Sequence, residues 1–175
     1  LAQGYRGVKS YYYHGSGVID FHIALGLIPS RHRELNYTNW LHGLGSRFAL
    51  HSLLGVRYFI SKQPIDWPGF NLIAQGGGLN LYANEFALPL GIVQYQQLDR
   101  ARFDSLPLEA KDAVLMRAAI TQNAIEGIPM FADTDIDIYD RANRERNYIE
   151  PARQHQKSGF QIEDRKSTRL NSSHV

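Results

Sequence analysis

Apolar positions recur along this chain with two different periods, and each change of period marks an element. Val18, Ile19, Ile23 and Leu27 fall near helical spacing. A short helix is therefore expected over Val18–Leu25, with Ser16 as its N-cap and Gly26 and Pro29 ending it. Leu41, Leu44 and Phe48 form a second helical stripe, extended by Leu50, Leu53 and Leu54. That helix is expected to start near Thr38 or Asn39 and to close at Gly55, although Gly43 and Gly45 each weaken it by about 1 kcal/mol relative to Ala.

The period then changes to two. Val56–Ser61 reads as a strand with Val56, Tyr58 and Ile60 on one face and Arg57, Phe59 and Ser61 on the other. Lys62–Gly69, with Pro64 and Pro68, is a loop. Phe70–Gln75 and Leu79–Ala83 are strands joined by the turn Gly76-Gly77-Gly78. Pro89 opens the next apolar run, Leu90–Tyr95, and proline is tolerated at the first residue of a strand. Pro107 suits the first position of a helix that carries Glu109 in its first turn and reaches Ala119 or Thr121. After Glu126 the periodicity fades. Residues 133–155 are charged and read as loop or incomplete structure, and Gly159–Glu163 as the opening strand of a following domain. The fold class is α+β: a small mixed or antiparallel sheet with packed helices.

Composition changes this picture mainly at the C-terminus. Asp164–His174 spells Asp-Arg-Lys-Ser-Thr-Arg-Leu-Asn-Ser-Ser-His, which matches the in-frame translation of a common sequencing-adapter DNA. Residues 164–175 are therefore read as an artefactual tail to be left out of fold reasoning, the other reading being a polar tail. The natural chain is expected to continue past Glu163, and a start at Leu1 without Met suggests truncation there as well. The organisation expected is residues 1–126 as an α+β domain, 127–163 as loop or the start of a truncated following domain, and 164–175 as tail. The formal charge of +2 comes from 19 basic and 17 acidic residues. Without the tail, 19 less 3 leaves 16 basic and 17 less 1 leaves 16 acidic, a net of zero. No basic face points to a nucleic-acid partner. There is no cysteine, hence no disulfide framework or thiolate metal site. No apolar run approaches the roughly 20 residues of a membrane-spanning helix.

Candidate chemistry is sparse. Asp133-Thr134-Asp135-Ile136-Asp137 lacks the glycine and the final glutamate of a calcium loop, with Ile138 and Arg144 at those positions, so a solvated acidic loop is the simpler reading. His14, Asp20 and His22 do not share a helix face, His42 and Ser46 could meet on a helix, and His51 has no acidic partner at helical spacing. No metal or catalytic residue is assigned. The run Tyr11-Tyr12-Tyr13, with Trp40 and Trp67 elsewhere, is a candidate sugar-binding surface. Packing of those rings on the core is the competing reading.

Two linked phrases carry a resemblance. They are Leu53-Leu54-Gly55-Val56-Arg57-Tyr58-Phe59-Ile60-Ser61 and Leu81-Tyr82-Ala83-Asn84, running on to Ala87-Leu88-Pro89-Leu90-Gly91. With the approach segment Tyr5-Arg6-Gly7 and Ser10-Tyr11-Tyr12, and with Phe103 and the helix from Pro107, they resemble the YfhO-type bacterial membrane proteins over about Tyr5–Thr121. Gly55, Val56, Arg57, Tyr58, Asn84, Pro89 and Gly91 are the motif positions. The resemblance implies that this is a truncated extracytoplasmic domain of a multi-span glycosyltransferase of the bacterial cell membrane. Such a protein transfers sugar from a polyprenyl-phosphate donor to an envelope glycan such as teichoic acid. Its presumed catalytic acid lies beside membrane helices that this sequence does not contain, so no catalytic residue and no cofactor is carried over. The implied partners are those missing transmembrane helices, the lipid-linked sugar and the glycan acceptor.

The alternative is a free-standing soluble α+β binding or interaction domain, with carbohydrate binding as one candidate activity. A domain cut from a larger protein is expected to expose a large apolar patch, whereas monomers rarely show patches above roughly a few hundred Å².

Overall fold

The computed structural model describes residues 16–30, 43–89, 91–132 and 136–158. Tyr11–Tyr13, the start of the expected second helix, the segment 159–163 and the 164–175 tail lie outside them. The described residues form helices, a three-stranded antiparallel sheet and a two-stranded parallel ladder. The α+β expectation therefore holds.

Helix α1 spans Ser16–Ala24, with the expected cap Ser16 as its first residue. It ends at Gly26, which has φ +65°. There Gly26 N–H donates to Ile23 O at 2.9 Å and Leu27 N–H to His22 O at 2.8 Å, satisfying carbonyls the helix leaves open. The Lys111 ammonium reaches Ala24 O at 2.9 Å from another helix, placing positive charge at the negative end of the helix dipole.

Helix α2 is shorter than its apolar stripe predicted, covering only Phe48–Leu53. Residues 43–47 are not helical, and Gly45 takes φ +62°. Besides the low helix propensity of two glycines, Arg47 is drawn away to Asp112. Its Nε donates to Asp112 Oδ2 at 2.9 Å, and a second guanidinium nitrogen contacts Oδ1. Asp112 is fully buried. Burial pushes its carboxyl above the usual carboxylate range, against the opposing pull of Arg47 and of the Tyr139 hydroxyl, which donates to it at 3.0 Å. The charge is tolerated because both oxygens are bonded.

Strand β1 (Tyr58–Ser61) starts two residues later than predicted, because Val56 N–H is engaged in the helix exit, donating to His51 O. Strands β2 (Phe70–Gly76) and β3 (Leu79–Asn84) follow as a hairpin around Gly77 and Gly78, both left-handed. The order is β1-β3-β2, with Phe59 opposite Tyr82 and a register shift between Leu72 and Ala74. The inner face carries Phe59, Tyr82 and Phe70. The Phe59 and Trp67 rings lie 4.7 Å apart, and Trp67 stacks on His51 at 5.3 Å. Burial holds the His51 imidazole below its ordinary value, although the bond to Gly45 O opposes the shift.

Residues 91–95 form no strand, so proline at 89 starts no new sheet. Pairing begins instead at β4 (Gln97–Asp99), parallel to β5 (Ala119–Thr121). Gln97 is buried with its amide satisfied: Nε2 donates to Ile125 O and Ile128 O at 2.8 and 2.7 Å, and Oε1 accepts from Ile125 N–H at 2.7 Å. That fixes residues 122–130 against the ladder. Helix α3 (Arg100–Asp104) is capped by the Asp99 side chain, which accepts from Ala101 N–H at 2.9 Å. Helix α4 (Leu108–Arg117) has Pro107 as its N-cap, one position outside the expected place. It ends before residues 119–121, which the sequence pattern assigned to the helix and which the parallel ladder claims instead.

The largest departure lies within 127–163, the stretch read as loop or the start of a following domain. Residues 141–158 are helical throughout: α5 (Arg141–Arg144), a π-helical turn (Glu145–Ile149) and α6 (Glu150–Ser158). Tyr148 and Ala152 are completely buried and join Phe48, Phe86, Val114 and Met116 in one core. The Tyr148 ring meets Phe48 at 4.9 Å and Phe86 at 5.4 Å. Burying each phenylalanine contributes roughly 1.5–3 kcal/mol. The charged outer face hid this helix from the periodicity.

Candidate functional site

The motif residues converge on a buried polar knot. Gly55 has φ +68° and closes α2: Gly55 N–H donates to Ser52 O at 3.0 Å and Val56 N–H to His51 O at 2.9 Å. Leu88 N–H also donates to Ser52 O at 2.9 Å, so the Ala-Leu-Pro phrase lies directly on the helix exit. Asn84, at the end of β3, ties the pieces together. Its Nδ2 donates to Val56 O at 2.9 Å and to Ser52 Oγ at 3.0 Å, its Oδ1 accepts from Phe86 N–H at 3.0 Å, and its own N–H donates to Arg57 O at 2.8 Å. The Tyr148 hydroxyl shares a 2.7 Å bond with Ser52 Oγ, and burial holds this phenol far above its usual range.

Arg57 contributes its carbonyl, while its side chain and Tyr58 are exposed. Gly91 is exposed and not left-handed, and Pro89 is half-buried. Gly55, Val56 and Asn84 are thus brought together, while Tyr58 and Gly91 stand apart from the knot. The knot is sealed by Phe86 and Tyr148 and offers no open face to a substrate; it fastens helix to sheet.

A second assembly is open. The π-helical turn arises where Pro151 interrupts the helical ladder: proline has no N–H to donate, and Glu150 N–H reaches back to Glu145 O. The widened turn directs two successive side chains, Asn147 and Tyr148, into the protein; both are fully buried. Tyr148 enters the knot. Asn147 Oδ1 accepts from Arg117 at 2.8 Å and from Arg146 Nε at 3.4 Å, drawing two guanidinium groups to one side. Arg117 is also stacked over Phe131 at 4.9 Å.

These arginines line a cleft of about 290 Å³ with Gln94, Gln96, Glu150 and His155. Tyr95 stands at its edge, 60% exposed. His155 donates from Nε2 to Met116 O at 2.8 Å, which leaves Nδ1 as an acceptor without a partner. Amides, paired cations, a carboxylate and an exposed ring suit a hydroxyl-rich, anionic ligand better than an apolar one. One local sign of this cleft is legible in the residues themselves: Pro151 inside a charged stretch that is otherwise largely compatible with a helix.

Among the described residues the remaining sequence candidates hold no shared chemistry. His22 bonds Val18 O within its own helix at 2.8 Å, and His51 packs among aromatic rings. His14, His42 and Asp133–Asp135 lie outside the described residues, as do Tyr11–Tyr13 and Trp40. Among the described residues no group of three or more His, Asp or Glu could hold a metal ion, and no helix is long and apolar enough to cross a membrane.

The fold and cleft define an α+β domain with an open polar cleft. The family model described as "Bacterial membrane protein YfhO" matches residues 1–172, and the chain belongs to that family of bacterial membrane proteins. No match was found among curated proteins or solved structures.

Proposed function

We propose that this chain is the non-catalytic extracytoplasmic part of a multi-span glycosyltransferase, and that its cleft receives the acceptor glycan. On this reading the full protein takes sugar from a polyprenyl-phosphate-linked donor and adds it to a cell-envelope polymer such as teichoic acid. The transmembrane helices outside this sequence supply the catalytic acid.

The observation that carries the reading is the make-up of the cleft between α4 and α6. Arg117 and Arg146 gather beside Glu150, with Gln94, Gln96 and Tyr95 around them. Guanidinium groups match phosphate oxygens, amides and carboxylate match sugar hydroxyls, and an exposed ring can lie against an apolar sugar face. Membership of a membrane-protein family supports placing such a cleft near envelope polymers.

The test is calorimetric titration of the chain with a poly(glycerol phosphate) glycan. Wild type is expected to bind saturably. Tyr95→Ala, at an exposed position, is expected to weaken binding about tenfold, or roughly 1.4 kcal/mol. Absence of binding, or equal affinity in the variant, would remove the acceptor assignment.

A further inference from the structure

The β2–β3 hairpin is uncharged and largely uncovered. From Trp67 to Asn84 the sequence carries no Asp, Glu, Lys, Arg or His. Every residue of β2 after Phe70 is exposed, including Leu72 at 49% and Ile73 at 52%. The register shift between Leu72 and Ala74 inserts Ile73 as an extra residue, so apolar side chains protrude around the strand rather than from one face alone.

The exposure continues across the sheet. Asn80, Tyr82 and Asn84 of β3 are buried, which turns Leu79, Leu81 and Ala83 to the opposite face. On that face Ile60 lies beside Leu81 and Tyr58 beside Ala83. Ile60 is 63% exposed, Tyr58 64% and Leu79 42%. Edge strands facing water are ordinarily protected by charge, proline or brevity, yet this seven-residue edge strand has no charge or proline. An uncovered apolar surface of this kind marks a contact.

We propose that this hairpin and the outward face of β1 are the surface by which the domain lies on an anionic lipid bilayer. Three observations favour a bilayer over another occupant. The chain belongs to a family of membrane proteins. The surface lacks charges that would have to be desolvated, while its border at β1 has exposed Arg57 and Lys62 and the exposed ring of Tyr58, with the exposed carboxylates Asp66 and Glu85 on the connections beyond. Basic and tyrosine side chains are suited to the headgroup layer beside an apolar patch. Finally, the apolar side chains protrude from both faces of a thin hairpin, a shape that enters a fluid interface more readily than it packs on a flat protein surface. This inference stands on the family and the hairpin, and does not require the glycan reading.

The test is flotation of the 175-residue chain with vesicles of mixed phosphatidylcholine and phosphatidylglycerol. Wild type is expected to float with the vesicles, and less well with phosphatidylcholine alone. The double variant Ile73→Asp/Leu79→Asp is expected to lose about tenfold or more in partitioning while keeping the wild-type thermal midpoint, because both side chains are exposed. A single variant, Ile73→Ser, gives an intermediate loss and covers the case in which the double variant fails to fold. Wild type left in the aqueous fraction overturns the proposal, as does undiminished flotation of the folded variants. A lipid-free dimer that the same substitutions abolish, with no flotation of wild type, would assign the face to a second copy of the chain.

Discussion

At the scale of single residues, Gly55 shows how directly backbone chemistry can be read. A helix that must stop and hand over to a strand needs a left-handed residue, and Gly55 supplies it at φ +68°. A Cβ there would also stand 3.1 Å from Leu88 O, a backbone atom fixed by its bond to Ser52. Gly55→Val is therefore expected to destabilise the fold by more than about 1 kcal/mol, read as a lower denaturation midpoint. An unchanged midpoint would contradict the helix exit. Gly55 was legible because its role depends on local geometry alone. Asn84 was legible only as a letter of a phrase, since its bonds reach Ser52 in α2, Val56 and Arg57 in the connection to β1, and Phe86 in the turn after β3. Asn147 was not legible at all, because a π-helical turn decides which way it points.

At the scale of elements, the alternating strands were readable and the helices less so. Strands β1 to β3 fall within two residues of their predicted bounds, although β2 is broken at Ile73 and exposed throughout after Phe70. The pattern did not say which face of β1 is covered: the more apolar one, with Tyr58 and Ile60, is the exposed one, and Phe59, flanked on its face by Arg57 and Ser61, packs on the core. The apolar stripe of the second helix runs across Gly43 and Gly45, but the helix does not, because a buried Asp112 takes Arg47 and the chain turns there. Helix 141–158 was missed for the converse reason: charged residues fill its outer side, Pro151 argues against a helix, and its inner side offers few large apolar residues besides Tyr148. That ring carries much of the attachment of the segment. Tyr148→Ala is expected to cost about 3–5 kcal/mol, the range for emptying a large aromatic site, and to leave Ser52 without its hydroxyl partner. Thermal unfolding followed by circular dichroism checks this. A loss below about 1 kcal/mol would mean that the C-terminal helices are not part of the common core.

At the scale of the whole molecule, three surfaces have three characters. The knot of Ser52, Asn84 and Tyr148 is closed and structural. The cleft between α4 and α6 is polar and open. The β2–β3 hairpin is apolar and uncovered. Composition could not foretell this separation, since a net charge near zero and ordinary apolar content are compatible with any arrangement of the same residues. The two proposals join the surfaces into one account: a domain outside the cytoplasm, lying on the membrane and offering its cleft to an envelope polymer. The sidedness is the claim on which that account turns, and the absence of cysteine from the sequence makes it directly measurable. Glu126 lies in an exposed turn after β5, and Glu126→Cys in the full membrane protein, with any cysteine outside these 175 residues replaced by serine, creates a unique thiol. The account predicts that a membrane-impermeant maleimide labels this thiol in intact bacterial cells; labelling that appears only after the membrane is permeabilised would contradict it.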